Sequence, residues 1–378
     1  MDKCNTHKRT WAEVNLNVID SNMRALRAQV NPMAKVMAIV KADAYGHGAP
    51  EVAETVLNSG ADLLGIATVE EGAQLRECHI NAPILVLGYT PLWQLDDIIQ
   101  HKLIQTVFDV NTAQELSRAA LGFGCRAPIH IKIDTGMSRL GFFPGDEAVA
   151  DILRINAMPG IEIQGFLTHF ASSGDDAEFT ALQYRRFDQF IQMLKQAGVK
   201  VANLHVSNSG AVLNRPDMAL DIVRTGILLY GLTPSVGIDF RGLSVQPALS
   251  WKTQVAHVKM LEPEISVGYG RTFYTQRKTL LAVLPIGYAD GYSRRLSNCG
   301  RVLIGGSFAP VIGRVCMDQI MVDITGLSNI KPGDEAVLIG RQGDKEITAT
   351  DLAQIQDTIC YEVVCAIGKR VPRVYARF

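Results

Sequence analysis

Residues 38–48 read AIVKADAYGHG, an apolar run that stops at an amine. Lys41 could be solvated there or paired with a carboxylate. The run leading into it instead implies partial desolvation, which disfavours the ammonium and leaves an amine able to attack an aldehyde and form a Schiff base. A second constellation is HIKIDTGMSRLG, residues 130–141. Strict alternation puts Ile129, Ile131 and Ile133 on one face of a strand and His130, Lys132 and Asp134 on the other, the face that would point into a barrel. Arg139 follows, and its planar fork suits a carboxylate such as that of an amino acid. A structural ion pair among Lys132, Asp134 and Arg139 is the alternative. Further polar residues close other apolar runs: Thr168 and His169 in FLTHFA, His205, Asn208 and Ser209 in LHVSNSG, Arg224 and Gly226 in IVRTGI. A lone histidine is more often a satisfied structural residue, but several polar strand ends in one fold point to a site.

The elements that must position these residues follow a rhythm. Short β-rich runs recur at 36–42, 63–68, 84–89, 104–109, 128–134, 161–170, 203–208 and 222–231. Amphipathic segments lie between most of them, with Thr68 and Glu71 reading as a capping box and Asn111 as an N-cap. Eight such strands predict an α/β fold with an N-terminal (β/α)8, TIM-like barrel, in which chemistry sits at the C-terminal ends of strands. After about Gly242 the pattern changes to strands punctuated by Gly and Pro, including WKTQVAHVKML, RVLIGG and EAVLIG. The expected organisation is a barrel over 1–242 and a mostly-β domain over 243–378, with the first residues able to pack on the latter and a linker at 235–246.

Composition excludes several classes. A 378-residue chain with 47% apolar residues and a net charge of −1 can build a large core and offers no electrostatic case for nucleic acid or an anionic membrane. No segment approaches the roughly 20 apolar residues of a membrane span, and the N-terminus lacks a signal-peptide core. The seven cysteines are scattered without a CxxC pair, which argues against a disulfide framework or a metal site and fits a cytoplasmic protein.

Taken together, VKADAYGHG, KIDTGMSRLG, LTHFA, SNSG, VRTGILLYG, VGYGRTF, PIGYADG, GRVCMDQIMVDI and YEVVCAIGKRVPRVY, in this order, resemble the pyridoxal 5'-phosphate-dependent alanine racemases. The resemblance implies that Lys41 binds the cofactor covalently and then serves as the base on the D side of the substrate. It implies that Tyr269 is the base on the L side, delivered from the partner subunit of a homodimer. Two opposed bases are what racemisation requires: one removes the α-proton and the other returns it from the opposite face. Arg224 resembles the arginine facing the pyridine nitrogen. A protonated arginine would keep that nitrogen neutral, whereas a carboxylate would favour the pyridinium; the weaker electron sink would suppress transamination and decarboxylation.

By the same resemblance, Tyr45, Ser209, Gly226, Ile227 and Tyr361 would hold the phosphate, the middle three partly through backbone N–H groups. His205 would buttress Arg224 and His169 would contact the Tyr269 hydroxyl. Arg139 and the Met317 N–H would take the substrate carboxylate. Lys132 matches a lysine often carbamylated, an anion able to orient Arg139. Tyr288 matches a substrate-entrance tyrosine, Asp318 lies beside the carboxylate site, and Cys316 reads as packing. Asp43 and His47 receive no role. The pattern departs at Gly268 and Arg271, where Ser and Ala are frequent, at Ser138, which replaces a usual Gly, and at Phe273, often Tyr. These leave room for serine as substrate, against which Tyr361 favours alanine.

The expected activity is interconversion of L- and D-alanine for peptidoglycan by a cytoplasmic homodimer. A serine or broad-specificity racemase is one rival. A decarboxylase of the same barrel-plus-β type would show a glycine triplet at the phosphate and an acid in place of Arg224. A non-catalytic cofactor-binding barrel would lack the second domain and Tyr269.

Overall fold

The computed structural model describes residues 8–234 and 240–376. Of the expected linker, residues 235–239 lie outside the described residues, as does Cys4. The chain divides into two compact units, one of Val18–Ala44 and Gly48–Gln246, the other of Met1–Asn17, Tyr45–His47 and Pro247–Phe378.

The first unit is the barrel. Its eight parallel strands are Lys35–Ile39, Leu63–Ile66, Ile84–Val86, Ile104–Val107, Ala127–Lys132, Ile161–Leu167, Leu204–His205 and Ile222–Thr225, each paired with its sequence neighbour as far as the seventh. The eighth pairs back onto the first, Lys35 opposite Ile222 and Ala38 opposite Thr225. Seventh and eighth form no ladder among the described residues; the Arg224 N–H donates to the Ser207 carbonyl, just past the seventh strand, at 3.3 Å, so the barrel is nearly closed. Parallel strands covered on both faces must be apolar on both. Accordingly Val36, Met37 and Ala38, and Ile84, Leu85 and Val86, are completely buried.

The ladders are shorter than the apolar runs that announce them. Lys41, Asp134, His169, Asn208 and Gly226 all fall just past the last strand residue, where the backbone leaves the ladder. Helix starts are partly as the sequence implies. Thr68 accepts the Glu71 N–H, but the Glu71 carboxylate does not return to Thr68 and takes the amides of Ala42 and Ala67 instead. The helix Val110–Gly122 is capped by Asp109, not Asn111: the Asp109 carboxylate takes the Thr112 N–H at 2.7 Å, and Asn111 is already inside the first turn.

The second unit is mostly β. Its main sheet runs Ser307–Pro310, Arg301–Ile304, Glu335–Gln342, Leu249–Gln254, Thr10–Asn15, Arg373–Ala376, with Lys345–Ile347 paired to Glu335–Gln342. Thr10–Asn15 and Leu249–Gln254 alternate buried and half-buried residues, the mark of a sheet with one covered face. A second sheet joins His257–Leu261, Thr279–Leu284 and Ile320–Asp323, and a two-stranded ribbon joins Ser266–Val267 to Phe273–Tyr274. The short helices Ala349–Gln356 and Cys360–Cys365 complete the unit. No helix among the described residues is long and apolar enough to cross a membrane.

Candidate active site

Lys41 opens a turn of unusual hand. Ala42, Asp43, Ala44 and Tyr45 all have φ of 52–53°, a left-handed helical turn that costs L-residues roughly 1–2 kcal/mol each. The turn is tied down throughout. Ala44 N–H reaches back to the Val40 carbonyl, Gly48 N–H to that of Asp43, and the Asp43 carboxylate takes the Ala49 N–H, the first orphan amide of the next helix. Just before Lys41, the Tyr230 hydroxyl donates to the Ile39 carbonyl at 2.9 Å. Asp43 thereby gains a role, as does His47, fully buried with Nδ1 at 3.0 Å from the Tyr45 carbonyl.

Around this amine the barrel collects cations. The Asp134 carboxylate does not pair with Lys132 or Arg139 side chains. It receives the backbone N–H groups of Gly136, Met137, Ser138 and Arg139, and so shapes the loop that carries Arg139. Burial would push this carboxyl up, but the four amides outweigh it and hold it below the usual range. Ser138, which stands where the resemblance expects glycine, takes the left-handed φ of 55° such a position requires. The Lys132 ammonium makes no hydrogen bond or ion pair among the described residues. Burial, then Arg224 and Arg139, push its amine well below the ordinary lysine value, Asp134 opposing.

Arg224 is 3% exposed, and its donors can be counted. Nη1 donates to the His205 carbonyl and to His205 Nδ1, each at 2.9 Å; Nη2 donates to the carbonyls of Thr168 at 2.8 Å and Val206 at 2.9 Å, with His169 Nδ1 more distant at 3.4 Å. Four of five N–H groups are thus held by neutral acceptors; among the described residues no carboxylate touches the guanidinium and none accepts from Nε–H, which can serve a ligand. Burial pushes Arg224 down to about 9, so it remains a cation at neutral pH. His169 is held well below its ordinary value by burial and then by the positive charges of Arg224, Lys132, Arg139 and Lys41.

Two short-helix N-termini complete this end of the barrel. Ser209, at the start of Ser209–Asn214, accepts the Gly226 N–H on its hydroxyl at 2.9 Å, and Gly226 precedes the turn Ile227–Tyr230. The N–H groups of Gly210 and Ile227 have no intrahelical acceptor and donate to none among the described residues. Cationic side chains, unspent amides and one carboxylate already fully engaged make a site for anions. The donor set fits pyridoxal phosphate: amides and Ser209 for the phosphate, Arg224 Nε–H for a neutral ring nitrogen, Lys41 for the aldehyde.

In the second unit, Tyr45 and Tyr361 meet edge to face, ring centroids 5.8 Å apart, and burial, then Tyr45 and Cys360, push the Tyr361 hydroxyl up. Gly46 allows this, since a Cβ there would lie 2.4 Å from the Val364 carbonyl oxygen. Gly287, where a Cβ would lie 2.3 Å from the Cys316 carbonyl oxygen, lets Tyr288 and Ala289 bond the carbonyls of Cys316 and Met317. The Met317 N–H itself donates to none among the described residues. Asp318 is held by Arg370 at 2.6 Å, and Arg370 and Arg9 both bind the fully buried Asp290 carboxylate. Tyr269 is 70% exposed, between Gly268 and Gly270 with φ of 72° and 70°.

The comparisons with known proteins agree with this geometry. The family profile described as "Alanine racemase, N-terminal domain" matches residues 14–234, and "Alanine racemase, C-terminal domain" matches residues 248–375. The chain belongs to the alanine racemase family. An alanine racemase of Clostridium perfringens is 46% identical over 368 residues, 97% of this chain and 95% of that protein. Among solved structures, an alanine racemase of Clostridium difficile superposes with a TM-score of 0.95 at 41% identity, covering 99% of this chain and 97% of that one. A family member from Bartonella henselae with covalently bound pyridoxal phosphate superposes at 0.85 with 29% identity, covering 98% of this chain and 100% of its own. Within this racemase frame, residues to which the sequence assigned no such role become visible: Glu71, Asp134 and Asp290 as carboxylates that shape loops, and His130, which bonds His205 at 2.8 Å. The alternation in HIKID signals His130 and Asp134; nothing local signals Glu71.

Proposed function

We propose that this protein interconverts L- and D-alanine with pyridoxal phosphate, as a cytoplasmic homodimer that supplies D-alanine for peptidoglycan. The observation carrying the reading is Arg224, a buried cation held by carbonyls and an imidazole with no carboxylate beside it. When bound, the cofactor supplies the electron sink that acidifies the α-proton. An arginine at the ring nitrogen limits that sink, which favours simple proton exchange over decarboxylation.

The chain's own groups do the rest. Ser209, Gly226 and Ile227, with the Tyr45 and Tyr361 hydroxyls, hold the phosphate, and His169 and His205 flank Arg224. Arg139 and the Met317 N–H orient the substrate carboxylate, with Tyr288 and Asp318 nearby. Lys132, carbamylated, steadies Arg139. Lys41 moves a proton at the α-carbon on one face, and Tyr269, presented by a partner subunit, does so on the other. The exposure of Tyr269 supports its service to a second chain. Tyr361, half-buried and edge to face with Tyr45, is the residue on which the preference for alanine over serine rests.

Incubating the cofactor-loaded protein with L-alanine, and separately L-serine, in deuterated buffer tests this. Deuterium at the α-carbon with formation of D-alanine is expected, much faster than for serine. Loss of carbon dioxide, or no exchange, would overturn the reading.

A further inference from the structure

His130 lies deep in the barrel at 2% exposure, its Nδ1 2.8 Å from Nε2 of the fully buried His205, the rings 5.0 Å apart at 69°. His205 Nδ1 in turn faces Arg224 Nη1 at 2.9 Å. These contacts fix every proton. A guanidinium only donates, so His205 Nδ1 must be a lone pair and its proton must sit on Nε2. That proton points at His130 Nδ1, which must be a lone pair as well, leaving His130 protonated on Nε2. The reverse order would set two N–H groups against each other at Arg224.

The barrel is locally reshaped to house this ring. Pairing between the fifth and sixth strands slips in register between Ile129 and His130. Opposite His130 stands Gly165, where a Cβ would lie 2.7 Å from His130 Cε1 and 2.8 Å from Nδ1. A strand irregularity facing a glycine re-aims a side chain at a cost in sheet stability, which a merely space-filling residue would not require.

We propose that His130 is a positioning residue: by accepting the Nε2 proton of His205 it fixes that ring's tautomer, so that His205 accepts from Arg224 and leaves Arg224 Nε–H aimed at the cofactor ring nitrogen. The last step rests on the proposed function. The tautomer order is a property of the protein alone. Burial, then Lys35 and Arg224, push His130 down to about 3, and burial with Arg224 holds His205 well below its ordinary value, so both rings are neutral when the chain is needed.

Ring-15N histidine NMR of the cofactor-free protein tests the order directly. His205 should show a bare Nδ1, a protonated Nε2 and a scalar coupling from Nε2 to His130 Nδ1; a protonated His205 Nδ1 would overturn the proposal without any variant. His130→Leu removes the acceptor, and His130→Asn puts a carboxamide oxygen near the Nδ1 position. In His130→Leu the tautomer signature should be lost, the visible band of the bound cofactor should shift, and kcat should fall roughly tenfold with little change in KM, while His130→Asn recovers most of each. Unchanged tautomer and absorbance in His130→Leu would also overturn it. A protein with the stated tautomers that takes up no cofactor would instead sink the proposed function.

Discussion

Glu71 Oε1 holds the backbone amide of Ala42 at 2.6 Å, and its Oε2 holds that of Ala67 at 2.7 Å. One carboxylate thus clamps the first residue after Lys41 to the end of the neighbouring strand, at the point where the backbone enters its left-handed turn. Charge-assisted bonds of this kind contribute about 1.5–3 kcal/mol when shielded and less at a half-exposed position. In Glu71→Ala, thermal stability should drop by about 1 kcal/mol. Cofactor affinity, measured by equilibrium absorbance titration, should weaken because Lys41 is less well presented. Glu71→Gln should not rescue, since an amide can accept from only one of the two N–H groups and opposes the other with its own.

Lys132 is expected to react with carbon dioxide. Burial and two neighbouring guanidinium groups favour its neutral amine, and only that form attacks: the amine nitrogen bonds the carbon, a proton leaves to solvent, and a carbamate anion results. The anionic product suits surroundings in which the positive charges of Arg224 and Arg139 already disfavour an ammonium. Protein equilibrated with 13C-bicarbonate should show one slowly exchanging carbamate resonance, absent from Lys132→Ala. Its absence from the native protein would leave Arg139 without the proposed anion.

The barrel was legible because its strands are buried on both faces, so each is an apolar run, and eight such runs separated by helices have few other solutions. Lys41, His205 and Arg224 stand out in the sequence because they are polar groups closing apolar runs. Asn111 misled as a cap because Asp109, two residues earlier, takes the Thr112 amide and starts the helix first once the strand ends at Val107. The role of Glu71 was hidden because a capping box and a long-range clamp use the same residue at the same spacing, and only the tertiary path of residues 41–45 decides between them. His130 was visible as an inward residue, but its partner is 75 positions away and the slip that accommodates it leaves no local mark.

Acid should unfold the barrel through its histidines. The unfolded chain takes up protons near pH 6.5, whereas folded His130 does so only near 3, and His169 and His205 are depressed in the same direction. The unfolded state therefore binds more protons as pH falls through that window, and each such histidine lowers stability by about 1.4 kcal/mol per pH unit. Stability should be insensitive to these groups above pH 6.5 and fall below it. His130→Asn removes one of them, so its urea-derived stability should fall less steeply than that of the native protein between about pH 6 and pH 4, by about 1.4 kcal/mol per unit. Parallel slopes would show that His130 is not buried neutral.

The two proposed bases differ in how they are presented. Lys41 follows a buried barrel strand, while Tyr269 is 70% exposed on a glycine-flanked turn of the β unit. If Tyr269 serves a partner subunit, Lys41→Ala and Tyr269→Phe are each inactive for complementary reasons, and a mixed dimer owns one site with both bases and one with neither. Random exchange makes half of all dimers mixed, so activity should return to about one quarter of the native value per subunit. If both bases instead serve their own chain, every site in every dimer lacks one of them and nothing returns. Exchange must be demonstrated separately, by mass spectrometry of differently tagged subunits. Recovery near one quarter, with none before exchange, places the tyrosine in trans; zero recovery after proven exchange places it in cis and removes the exposure of Tyr269 as support for a shared site.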